Sequence, residues 1–127
     1  MSSVEERIAV VRNQPDIDSN CRGAALFITG VIDEERFVSS EEAAALVDQM
    51  PLCDAPTNHC LVVYRDSDGK IVHIGVLFDL EGLRLVHREQ VGKALSQSKI
   101  DRCGNLRSTV EYRDPTPFAK FHEQDPN

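Results

Sequence analysis

The sequence contains no apolar run approaching the ~20 residues that a bilayer-spanning helix needs. Its opening stretch, MSSVEERIAVV, carries two early glutamates where a secretory leader would have an apolar core. Neither a membrane span nor a Sec signal is expected. The cytoplasm is the default compartment, with export by a specialised secretion machine as the alternative. Basic charge is in deficit: 14 Lys plus Arg stand against 21 Asp plus Glu, a formal net charge of −7. That balance argues against a nucleic-acid surface and against an anionic membrane as partner, because both are held by clustered basic charge. The 4 cysteines include no CxxC pair, which excludes a zinc ribbon and a thioredoxin motif. Internal repeats and low-complexity tracts are also absent. What remains is 127 residues, 41% hydrophobic and 28% charged. This is one globular domain's worth of chain, able to bury about two-thirds of its unfolded surface.

Helices come first. Ser3 to Asn13 places Val4, Ile8 and Val11 at helical spacing, and Pro15 closes the segment. Ser19 or Asn20 can cap a second helix over Cys21 to Val31, whose Ala24, Ala25, Leu26, Phe27 and Ile28 are apolar all round. Such a helix belongs in the middle of a core, with Cys21 in its first turn. Ser39 followed by Glu42 forms a capping box for a third helix to Met50, which Pro51 stops. The period then changes to two. Leu61 to Arg65, Lys70 to Phe78, Leu83 to His87 and Ser108 to Arg113 read as strands, with turns at Asp66-Ser67-Asp68-Gly69 and at Asp79 to Gly82. Val91 to Ser98 reads as a short helix or a loop. The expected fold is α+β: N-terminal helices packed on an antiparallel meander within one domain over residues 1–114, followed by a polar tail over 115–127 at the surface.

Chemistry enters through a thiol. A thiolate is the nucleophile in cysteine catalysis, and a helix N-terminus lowers a thiol's pKa. Cys21 alone among the cysteines heads a predicted helix, and Gly23 behind it lets another backbone approach. On its own, Cys21 is better read as a buried first-turn residue, and Cys53, Cys60 and Cys103 read as small buried apolar residues. Histidines add to this. In the strand IVHIGVL, Val72, Ile74, Val76 and Phe78 form an apolar core face, which puts His73 on the other face beside Gly75, with room for its ring. His87 ends the next strand on the face of Leu83 and Leu85. In a hairpin whose facing residues sum to 160, His73 and His87 lie opposite each other, given an odd loop or a bulge around Asp79 to Gly82. A two-residue turn would instead put them on opposite faces. Thiol, imidazole base and a second polar group orienting that base make the general nucleophile arrangement. Structural readings stand beside it: a half-buried sheet histidine for His73 and a strand-end surface residue for His87.

A cysteine heading a buried helix, then H-h-G-h in one strand and h-h-H after the next, resembles the NlpC-type cell-wall cysteine peptidases, which have a minimal papain-like fold. The matching residues are Asn20-Cys21-Arg22-Gly23, His73-Ile74-Gly75-Val76 and His87. The resemblance implies Cys21 as nucleophile, His73 as base and His87 as orienter. It also implies support of an oxyanion hole by Asn20, Gly23 and the backbone N–H of Cys21, and no metal or organic cofactor. Departures from the pattern are Asn20 in place of Asp, QPDIDS in place of a Tyr- and Gly-rich upstream segment, and His59-Cys60 in place of Gly-Asp. The implied activity is hydrolysis of an amide bond in a peptide or small amide substrate of peptidoglycan type. Acyl transfer or deamidation on the same residues, and a non-catalytic binding module keeping the fold, are the alternatives.

Other features have simpler readings. Asp66 to Gly69 lacks the later ligands of a calcium loop and reads as a turn. Cys53, His59 and Cys60 offer no apparent fourth zinc ligand. Arg84, Arg88, Arg102 and Arg107, and the pairs Glu5-Glu6 and Glu34-Glu35, read as solvated charge, although the arginines suit a carboxylate-bearing substrate.

Overall fold

A computed structural model describes residues 3–15, 17–102 and 108–120. Cys103, Arg107 and His122 lie outside the described residues, as does the side chain of Arg102. Three helices lead the described chain: α1 Val4–Arg12, α2 Cys21–Ile28 and α3 Ser40–Val47. Each begins at a side-chain cap. Ser3 Oγ accepts the N–H of Glu6 at 3.1 Å, Asn20 Oδ1 that of Gly23 at 2.8 Å, and Ser39 Oγ that of Glu42 at 3.1 Å. The Glu42 carboxylate does not close the capping box; it pairs with Arg36 instead.

Six strands follow: β1 Leu52–Cys53, β2 Leu61–Arg65, β3 Ile71–Asp79, β4 Arg84–Arg88, β5 Leu95–Lys99 and β6 Thr109–Arg113. They form one antiparallel sheet in the order β1-β6-β2-β3-β4-β5. The fold is α+β with the helices N-terminal to the sheet. Two points differ from a plain meander. β6 returns to pair with β2, and β1 pairs with β6 at one edge. The segment expected to be helix or loop supplies β5, which pairs with β4 along its length. As an outer strand, LSQSK needs no apolar face, so the period-two signal is missing.

The sheet is covered on both sides. Ile74, Val76, Val86, Leu61 and Val63 join the helical residues Ala24, Leu26 and Ile28 in the main core. Leu77, Leu85, Val62, Tyr64 and Ile100 form a smaller cluster on the other face. Burial of these side chains supplies the main drive for folding. A bulge between Tyr64 and Arg65 breaks the alternation at the start of β3. Ile71 thereby joins the main core and Val72 packs against the smaller cluster, the reverse of a strict period of two.

Arg88 and Glu35 are not solvated charges. Arg88 is fully buried at the end of β4 and grips Glu35 with two bonds, Nε to Oε2 at 2.7 Å and Nη2 to Oε1 at 3.0 Å. Its remaining donors reach the carbonyls of Val11, Gln14, Pro15 and Lys93. A guanidinium can satisfy this many acceptors only through its planar fork. The cluster ties β4 to the chain on either side of α2, and so fixes where α2 begins. Arg84, Glu5, Glu6 and Glu34 are exposed as expected.

The first part of the tail also packs. Thr116–Phe118 forms a 3-10 turn, Phe118 lies against the main core, and Lys120 N–H bonds to Gly30 O at 3.0 Å. Residues 115–120 therefore belong to the folded body rather than to a polar surface tail. No helix among the described residues is long and apolar enough to cross a membrane.

Candidate active site

Asn20 explains the start of α2. Its Oδ1 accepts from Gly23 N–H and from Val38 N–H at 3.2 Å, while its Nδ2 donates to Val38 O at 2.8 Å. The loop ending at Val38 is thus stapled to the helix start. Arg22 adds a third bond, Nε to Val38 O at 2.8 Å. Gly23 is required by the same crossing: a Cβ there would lie 1.6 Å from Arg36 O. Both residues support the site's framework. Neither is free to bind an oxyanion, since the Asn20 amide group and the Gly23 N–H are already engaged.

Cys21 sits within this framework at 6% exposure. The polar groups acting on its sulfur are the backbone N–H of Ile74 in β3, the N–H groups at the head of α2 and the Arg22 charge. These favour a thiolate, but burial outweighs them and raises the thiol above its ordinary value. The expected lowering by the helix N-terminus is therefore overturned by desolvation.

His73 precedes Ile74 in β3 and turns its ring to the opposite face of the sheet, beside Tyr64. Its Nε2 lies 2.7 Å from Nδ1 of His87, with the two rings edge to face at 4.8 Å between centroids. The register differs in detail from a sum of 160. Val76 pairs with Val86 and Leu77 with Leu85, sums of 162, and a bulge follows between Leu77 and Asp79. The histidines share a face and meet diagonally rather than directly across. Gly75 serves the strand approach more than the imidazole, because a Cβ there would come within 2.7 Å of Leu85 Cδ1. Tyr64 closes the other side of His73, with centroids 5.7 Å apart.

His87 is no strand-end surface residue: it is 4% exposed, and its Nε2 lies 2.9 Å from Ser98 Oγ and 4.0 Å from Glu89 Oε1. Burial lowers the pKa of both rings. His73 falls from 6.5 to about 4, helped by the charges of His87 and Arg22, and Glu89 partly opposes the drop at His87. Thiol and imidazoles accordingly rest neutral. Among the described residues, His73 Nδ1 carries no hydrogen bond, and no hydrogen bond joins the Cys21 sulfur to the His73 ring.

Sequence reasoning missed Ser98, because β5 has no apolar alternation to mark it. It also placed Cys53 inside, whereas Cys53 is half-buried and Cys60 is buried. Among the described residues, no three His, Cys, Asp or Glu side chains are grouped to hold a metal ion. Asp66 to Gly69 is a hairpin turn closed by Gly69 N–H to Asp66 O at 3.0 Å. A cavity of about 200 Å³ opens at Thr57 to Cys60 and Asp114 to Thr116, and one of about 410 Å³ beside Leu83, Lys99 and Tyr112. Neither is lined by Cys21, His73 or His87. Comparison with family models, curated proteins and solved structures found no match to this chain.

Proposed function

We propose that this chain is a cysteine hydrolase with a papain-like minimal fold of NlpC type, cleaving an amide bond in a peptide or small substrate of peptidoglycan type. The observation that carries the proposal is that His73 bonds His87 through Nε2 at 2.7 Å, has no bond at Nδ1 among the described residues, and feels the charge of Arg22, the residue next to Cys21 at the head of α2. Cys21 is the nucleophile, His73 the base and His87 the group that orients the base.

With both groups neutral at rest, proton transfer accompanies attack rather than preceding it. His73 Nδ1 takes the thiol proton as the sulfur bonds to the carbonyl carbon. The N–H groups of Cys21 and Arg22, in the first turn of α2, are the donors that steady the oxyanion. Collapse breaks the C–N bond, and the leaving amine takes the proton from His73. Water then attacks the thioester, giving its proton to His73, and the acid departs as the thiolate is reprotonated. No metal or organic cofactor is needed at any step. An amine acceptor in place of water would make the same acyl-enzyme a transferase, and a side-chain amide as substrate would make it a deamidase.

The test is release of nitrophenolate from p-nitrophenyl acetate, with intact-mass detection of the acetylated protein. Release should vanish in Cys21→Ala and fall on the order of 100-fold in His73→Ala, with the adduct mapped to Cys21. A second reading, a non-catalytic binding module on the same fold, is favoured by the 6% exposure of Cys21. Release indifferent to both substitutions would establish that reading and end the hydrolase proposal.

A further inference from the structure

The His73–His87 pair does not end at His87. Ser98 of β5 lies 2.9 Å from His87 Nε2, and the Glu89 carboxylate stands 4.0 Å from the same nitrogen. Strand register brings Ser98 there: Ser96 pairs with His87 and Ser98 with Leu85, so Ser98 is one diagonal step away. A chain of polar atoms thus runs from His73 Nδ1 through both rings to the serine hydroxyl.

Such a chain has two directions. A neutral imidazole carries one N–H and one bare nitrogen. If the serine hydroxyl donates to His87 Nε2, the His87 proton must sit on Nδ1 and donate to His73 Nε2. The His73 proton is then forced onto Nδ1, where it blocks the base. If the hydroxyl accepts instead, His87 Nε2–H points at it, His73 Nε2–H points at His87, and His73 Nδ1 is left bare. A serine hydroxyl rotates to suit either direction, so charge decides. Of the charged groups among the described residues, Glu89 stands beside His87 Nε2 and Arg22 acts on His73 from the start of α2. Tyr64 packs its ring at a tilt against His73 and sends its hydroxyl to Ile100 O at 2.6 Å. The negative Glu89 favours an N–H on the nitrogen it faces, which is the productive direction.

We propose that Ser98, with Glu89, is a positioning residue that holds the His87 proton on Nε2 and so keeps Nδ1 of His73 unprotonated. The effect on rate rests on His73 acting as base; the tautomer assignment does not.

Long-range nitrogen–proton NMR of the imidazoles at pH 7.5 reads the tautomers directly. In the full chain, both rings should be predominantly Nε2–H. Ser98→Ala combined with Glu89→Gln should raise the Nδ1–H population of both rings together, while Ser98→Thr, which keeps the hydroxyl, should restore the original pattern. With nitrophenolate release as readout, Ser98→Ala should lower kcat on the order of 10-fold at unchanged KM. His87 found as Nδ1–H in the unaltered protein, or tautomers indifferent to both substitutions, would overturn the proposal. If the variants do not fold, the tautomer of the unaltered protein decides it alone. Tautomers that shift as expected without any catalytic activity would leave Ser98's role standing and remove the hydrolase reading instead.

Discussion

Acid should destabilise this protein through His73, over a window set by its burial. The folded ring binds its proton only below about 4, whereas an unfolded histidine binds near 6.5. Between those values the unfolded chain holds a proton that the folded chain refuses, so stability rises with pH. The full contribution is present above pH 6.5, is lost progressively as pH falls toward about 4, and changes no further below that. At about 1.4 kcal/mol per pH unit, the loss approaches roughly 3 kcal/mol. His73→Gln removes the titration while keeping a polar planar side chain. Urea unfolding at pH 7.5, 6, 5 and 4 should show the parent losing roughly 3 kcal/mol more than the variant across the series. The carboxylates Glu42 and Glu111, lowered by their arginine partners, titrate in both proteins and cancel in the difference, whereas His87, bonded to His73 and coupled to it by charge, does not, so the difference reads the histidine pair. Parallel curves, with the same loss in both proteins, would refute the buried neutral state of His73.

Two further outcomes follow from the framework around α2. Glu35→Ala leaves Arg88 fully buried without its carboxylate and should cost about 3–5 kcal/mol in chemical denaturation. Gly23→Ala forces a Cβ to within 1.6 Å of Arg36 O; the loop must give way, and thermal unfolding should show a loss of about 3 kcal/mol. It should also change the environment of Cys21, two residues away.

The helices were legible from caps and proline stops, since Ser3, Asn20 and Ser39 each make the bond their type implies. The central strands were legible from period two. What escaped was set by partners distant in sequence. β5 is recognisable only from its pairing with β4, and the place of β6 only from its pairing with β2. Arg88 and Glu35 look like any surface charges until the fold brings together two positions 53 apart in the chain. At the site, the shared face of His73 and His87 followed from parity and a bulge, but the diagonal offset depended on the bulge's position. The pKa of Cys21 was misjudged for a plain reason: helix position is local and visible in sequence, whereas desolvation comes from the loop and sheet that close over it.

The central claim is that His73 acts on the sulfur of Cys21. Iodoacetamide alkylation of Cys21, followed by peptide mass spectrometry from pH 5 to 9 in the parent and in His73→Ala, measures that action without any substrate. We expect the parent's Cys21 to react faster at neutral pH, on the order of 100-fold, with Cys53 unchanged between the two proteins. Equal Cys21 rates in both proteins across the range would contradict the claim.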